Sequence, residues 1–138
     1  MVGLVERPPA QGAEVKVIDA SGLAALTFAE ADAERVIDAI DVQTLAAPFL
    51  LPFELTNVAR KKMRLRPDAL NILGEQLRDG LALSVALMEV DHIEVLTLAA
   101  ALSLSASDAS YVWLARALGA DLVTLDRKLD AAARRRRT

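Results

Sequence analysis

The 138-residue chain has no cysteine, a single histidine (His92), one tryptophan, one tyrosine and three phenylalanines. Without cysteine there is no disulfide frame and no thiolate metal site. With one histidine, zinc centres of the His/Cys kind and Ser-His-Asp catalysis are set aside. Any metal must then be held by carboxylates, a donor set that favours Mg²⁺ or Mn²⁺. Aromatics are scarce although 54% of the residues are hydrophobic, so the core is expected to consist of Ala, Leu, Val and Ile. That composition suits helices packed on a sheet. The formal net charge of -3 is too small to signify an acidic tail or a basic groove. A long uninterrupted apolar run is also missing. The most apolar region, Leu81 to Leu104, is broken by Glu89, Asp91, His92 and Glu94, which excludes a transmembrane span there. Residues 1–13 carry Pro8-Pro9 and Gly12 without periodicity, and lack the basic and apolar regions of a signal peptide. They are expected to be a flexible extension, and the protein to be cytoplasmic.

The chain is organised around Val15-Lys16-Val17-Ile18-Asp19-Ala20-Ser21. Three β-branched residues suit a buried strand, and the run ends abruptly in a carboxylate. Gly22 and Leu23 to Leu26 then read as a turn into a helix. Ala33, Val36, Ile37 and Ile40 recur at helical spacing, opposite Glu34, Arg35 and Asp38. Gln43 to Pro48 reads as a short strand. A helix is expected from about Pro52 through Arg60, and another from Pro67-Asp68, with Leu70, Leu73 and Leu77 on one face and Gly80 closing it. Leu81 to Val85 is the next strand candidate. His92 to Leu102 is helical by the spacing of Val95, Leu98 and Leu102. Ser105 to Asp108 looks like a helix start, Tyr111, Leu114, Ala115 and Leu118 its buried stripe, and Gly119 its stop. Leu122 to Leu125 reads as a strand ending in Asp126, followed by a short helix that frays into Arg134 to Arg137. Strands and helices alternate, which predicts a single α/β domain over residues 14–130, with a mostly parallel sheet covered by helices and a basic tail at 131–138.

Four of the 19 acidic residues stand apart from polar helix faces. Asp19 and Asp126 end apolar strands; Glu54 and Asp108 open helices. Any one of them is explained as a helix cap or a dipole partner. Four independent caps, however, have no reason to share an edge. In a doubly wound sheet, strand C-termini and helix N-termini do share one, the edge where ligands bind. Carboxylates gathered there repel one another unless a cation neutralises them.

Val17-Ile18-Asp19-Ala20-Ser21, Pro52-Phe53-Glu54-Leu55-Thr56-Asn57-Val58, Ser107-Asp108-Ala109-Ser110-Tyr111-Val112-Trp113-Leu114-Ala115 and Leu122-Val123-Thr124-Leu125-Asp126-Arg127-Lys128-Leu129 resemble, in order, the four blocks of a PIN-domain ribonuclease. The resemblance is nearest to the VapC-type toxins of prokaryotic toxin–antitoxin pairs and covers about Val15 to Leu129. The stretch before Val15 is longer than is usual for such toxins. The resemblance implies an Mg²⁺- or Mn²⁺-dependent endoribonuclease. Asp19 and Asp108 would be its principal metal ligands, and Glu54 and Asp126 direct or water-mediated ones. Ser21 and Thr124 match the supporting hydroxyl positions, and Asn57, at i+3 from Glu54, a supporting polar one. It further implies a homodimer silenced by a cognate antitoxin, for which the apolar helices between Glu30 and Arg66 could supply a groove. A PIN ribonuclease of RNA processing, a catalytically silent PIN fold and a receiver-like Mg²⁺-binding phosphoacceptor domain are the alternatives.

RNA requires cations near the acids. Arg60, Lys61, Lys62, Arg64 and Arg66 place five of the 16 basic residues in seven positions, directly after the expected Glu54 helix. They either track phosphates or complement the helix C-terminus. Arg116 and Arg127-Lys128 are further candidates close in sequence to the acids. His92 is expected to be exposed or capping, Tyr111 to pack, and Trp113 to lie at an interface.

Overall fold

A computed structural model describes residues 14–41 and 44–135. The expected extension at 1–13, Gln43, and Arg136 and Arg137 of the tail lie outside the described residues. Four strands form one parallel sheet: β1 (Val15–Ile18), β2 (Thr44–Pro48), β3 (Val85–Met88) and β4 (Asp121–Val123), in the order β3-β2-β1-β4. Val17 pairs with Ala46 on one side and Leu122 on the other, and Ala46 pairs with Ala86. Because every pair is parallel, all four strands end on the same edge. The winding passes from β1 through β2 to β3 and then jumps to the far side of β1. The crevice between β1 and β4 is therefore the topological switch point of the sheet.

Seven α-helices cover the sheet among the described residues: α1 (Ala20–Thr27), α2 (Ala33–Ile40), α3 (Leu51–Leu65), α4 (Leu70–Leu81), α5 (His92–Leu102), α6 (Ala106–Leu118) and α7 (Arg127–Arg134), with a 3-10 turn at Pro67–Ala69. The core consists of Val17, Ile18, Leu23, Leu51, Leu55, Val85, Tyr111 and Leu114 with small residues between them. A smaller cluster of Val95, Ala99 and Ala109 joins α5 to α6. Those two helices meet at a bend of 107°, and no single helix among the described residues is long and apolar enough to cross a membrane.

Four boundaries differ from the sequence reading. The Glu54 helix does not stop at Arg60 but continues to Leu65, because no breaker precedes Pro67; the basic run lies on the helix rather than after it. Gly80 does not close α4. It sits buried in the last turn, where an added Cβ would come within 2.4 Å of the Thr27 Oγ1 of α1, so this glycine serves a close helix crossing. In consequence β3 begins at Val85 rather than Leu81. The last strand ends at Val123, which leaves Thr124 and Leu125 free to turn their polar groups toward the site. On α2 only Val36 is buried, and Ile37 is 55% exposed. Gly119 ends α6 as expected, at φ 62° in the left-handed region that glycine enters without strain.

Candidate active site

Asp19 follows β1 directly and caps α1. It is 5% exposed, yet both carboxylate oxygens are satisfied. Oδ1 accepts from the Ser21 hydroxyl at 2.8 Å and the Gly22 N–H at 3.0 Å, and Oδ2 accepts from the Thr124 hydroxyl at 2.7 Å. The supporting hydroxyls are themselves held. Ser21 Oγ accepts the Leu125 N–H at 2.9 Å, and Thr124 Oγ1 accepts the Asp126 N–H at 3.0 Å. The Asp19 N–H donates to the Val123 carbonyl, so β1 and β4 are stitched together at the switch point by the residues that carry the acids.

The other three acids reach the same edge by different routes. Asp126 caps α7 through the Leu129 N–H. Asp108 lies in the first turn of α6, behind the cap that Ser105 Oγ makes to the Asp108 N–H. Glu54 sits in the first turn of α3, and its Oε1 accepts the Tyr111 hydroxyl at 2.6 Å. Capping and clustering are thus not alternatives here: Asp19 and Asp126 do both.

The four carboxylates are electrostatically joined. Burial pushes the Asp19 carboxyl above its ordinary value; the bonds from Thr124, Gly22 and Ser21 pull it back in part, and Asp126 adds repulsion. Burial also raises Glu54. The Tyr111 hydroxyl works against that rise, while Asp108 and Asp19 reinforce it. Asp108 is raised by burial and by Asp126, with Lys128 opposing. Tyr111 itself is held far above the usual phenol range by burial and by its bond to Glu54, so it remains a donor.

The acids do not close into a ready-made cage. No group of three or more acidic or histidine side chains forms a compact ligand set among the described residues. The cluster is open, and its members interact through charge rather than contact. Mg²⁺ retains several waters and takes only one or two carboxylates directly. An all-oxygen donor set, in which Asp19 is fixed at both oxygens and the charge of Asp19, Glu54 and Asp108 is resisted by burial, fits such a cation.

The basic candidates separate once placed. On α3, Asn57, Lys61 and Arg64 follow Glu54 at i+3, i+7 and i+10, within about 80° of its face at 100° per residue. All three are exposed, and Lys61 stands about 10 Å along the axis from Glu54 at 1.5 Å per residue. Arg60, exposed at i+6, lies about 120° round the helix from Glu54, just beyond Arg64. Lys62 is engaged elsewhere, pairing with Glu30 at 2.6 Å above the Phe28 ring, and Arg66 lies 3.9 Å from Asp68. Arg116 is not brought to the acids. Eight residues along α6 from Asp108, about 12 Å, it donates to the Arg135 carbonyl. Arg127 and Lys128 open α7, exposed beside Asp126. His92 is exposed at the start of α5, which Asp91 rather than His92 caps. The Trp113 indole N–H donates to Glu94 at 2.8 Å, joining α6 to α5. The Tyr111–Glu54 bond spans 57 positions and has no local signature; the sequence marks Tyr111 only as apolar.

Fold and site together define an open parallel α/β protein with a carboxylate crevice at its switch point, an arrangement suited to divalent-metal chemistry. Residues 16–135 match the family model described as the PIN domain. The chain belongs to the PIN-domain family, whose members are generally metal-dependent nucleases. It is similar to the crystal structure of PAE2754 from Pyrobaculum aerophilum, at 32% identity and a TM-score of 0.72, over 90% of this chain and 84% of that one. No curated protein sequence matches it significantly. Family membership displaces the receiver-like phosphoacceptor alternative.

Proposed function

We propose that this PIN domain is an Mg²⁺- or Mn²⁺-dependent endoribonuclease acting as the toxin of a toxin–antitoxin pair. The observation that carries the nuclease reading is the coupling of Asp19, Glu54, Asp108 and Asp126 at one sheet edge, with Asp19 immobilised by Ser21, Gly22 and Thr124. Asp19 and Asp108 would hold the cation directly, and Glu54 and Asp126 directly or through water. A bound divalent ion lowers the pKa of its water and neutralises charge on a scissile phosphate. Ser21 and Thr124 fix both oxygens of Asp19, so that no reorientation is needed when substrate arrives. Asn57, Lys61 and Arg64 lead away from Glu54 along α3 and would take the phosphates on one side of the scissile bond; Arg127 and Lys128 would take the other. The toxin role rests on the ordered resemblance of the four blocks. It is supported by Ile37, Leu65, Leu70 and Ile72, apolar side chains left exposed on α2 to α4, where an amphipathic segment of an antitoxin would lie. A homodimer is part of the same proposal.

The test is cleavage of a cellular RNA pool by purified protein with Mg²⁺ or Mn²⁺, with EDTA, and with Asp108→Asn in parallel. Discrete fragments that vanish with EDTA and with the variant are expected. Undiminished cleavage by Asp108→Asn refutes the assignment. Growth arrest on expression, relieved by the product of an adjacent small reading frame, separates a toxin from an RNA-processing enzyme.

A further inference from the structure

The Tyr111 hydroxyl is held in the core and aimed at the site. Its residue is 1% exposed, packed among the apolar side chains beneath the sheet edge. Its ring is fixed by that packing, so the hydroxyl has one place to point, and it donates to Glu54 Oε1 at 2.6 Å. Tyr111 lies at i+3 from Asp108, on the same side of α6. One helix face therefore delivers an acid to the edge and, one turn deeper, a donor to the acid of another helix. Glu54 has three side-chain torsions and stands only half-buried on the first turn of α3. Among the described residues Tyr111 is its one side-chain hydrogen-bond partner, and Oε2 is left for whatever occupies the crevice.

We infer that Tyr111 is a positioning residue: its hydroxyl pins Oε1 of Glu54 so that Oε2 faces Asp108 and Asp19 as a preset ligand for a divalent cation. Asp19 obtains its orientation from Ser21, in the first turn of α1, and from Thr124, just past the end of β4. Glu54 bonds to neither of those hydroxyls and receives the equivalent support from α6. The inference rests on the metal-dependent reading of the acidic edge.

Tyr111→Phe keeps the ring and removes only the donor. Mn²⁺ binding to purified protein, followed by titration calorimetry, is the readout, with thermal melting in EDTA as the control for folding. Tyr111→Phe is expected to melt within a few degrees of wild type and to bind Mn²⁺ about tenfold more weakly, the lower range for loss of a group that orients a ligand. The same substitution in a Glu54→Gln background is expected to change affinity less than twofold, because the carboxylate it acts through is gone. Wild-type affinity in Tyr111→Phe, or an undiminished further loss in the Glu54→Gln background, overturns the inference. The two failures are separable. If wild type and Asp108→Asn bind Mn²⁺ equally, the metal reading itself falls; if Asp108→Asn loses Mn²⁺ while Tyr111→Phe does not, only the role of Tyr111 falls.

Discussion

Replacing Thr124 with Val is close to isosteric and removes one hydroxyl from the centre of the site. That hydroxyl donates to Asp19 Oδ2 at 2.7 Å and accepts the Asp126 N–H at 3.0 Å. A hydrogen bond to a charged group contributes about 1.5–3 kcal/mol and a neutral one about 0.5–1.5 kcal/mol. Thr124 is only half-buried, so water replaces part of the second bond, and a loss of about 2–3 kcal/mol is expected at neutral pH. For a domain of this size that corresponds to a fall in Tm of roughly 6–10 °C. The loss should depend on pH with a definite sign. Asp19 already sits above its ordinary value, and the Thr124 bond is the largest influence drawing it down. Without it the folded carboxyl rises further and holds its proton to higher pH. The unfolded chain releases that proton in the ordinary carboxylate range in both proteins, so the stability of the variant falls more steeply as pH rises. Below the raised value both folded proteins carry a neutral Asp19, and the charge-dependent part of the loss is absent. Urea denaturation of both proteins in EDTA at pH 4 and pH 7.5 measures this. A loss of equal size at both values would mean that Thr124 acts by packing, and would refute the reasoning.

The folded protein holds protons on Asp19, Glu54 and Asp108 more tightly than the unfolded chain does, so metal-free stability should fall as pH rises through the raised values. Added Mg²⁺ at a hundredfold excess over its Kd should then restore about 2.7 kcal/mol at pH 7.5 and much less at pH 4.5, read as Tm in a calorimeter. Asp108→Asn removes a carboxylate that Asp126 repels, so its metal-free Tm at pH 7.5 should equal or exceed wild type while the Mg²⁺-dependent rise shrinks. Lys61→Ala and Arg64→Ala should each reduce the slope of log affinity for RNA against log salt by about 1. Lys62→Ala should leave that slope unchanged and lower stability by at most about 1 kcal/mol, since its charge is spent on Glu30.

What could be read from the sequence follows from where information is local. Val15 to Ile18 declares itself through β-branched residues, and Ser105 and Gly119 bound α6 by chemistry that acts within a few positions. The four acids were visible because each sits where an apolar strand stops or a helix starts. Parallel strands place those ends on one edge, and the alternation of strands and helices predicts parallel strands. Gly80 misleads because a glycine late in a helix has two uses. Its role here is decided by Thr27, 53 positions earlier, which local reading cannot weigh. Lys62 and Arg116 show the same limit: their partners, Glu30 and the Arg135 carbonyl, are remote in sequence. Tyr111 is the instructive omission. Its ring obeys the helical period and packs in the core, but the hydroxyl at its tip leaves no trace in periodicity.

The bond from Thr124 to Asp19 joins residues 105 positions apart, and β1 has an open flank until β4 docks against it. On the ribosome, the first strand, the Glu54 helix and the Asp108 helix are all synthesised before the strand that completes the crevice. A chain halted between Asp108 and Thr124 carries three of the four acids yet lacks the hydroxyl that anchors the first and the segment that closes the sheet. The crevice is therefore complete only after β4 and Thr124 have been made. Under the proposed function, a fragment that stops short of β4 would lack the completed crevice and would leave RNA intact.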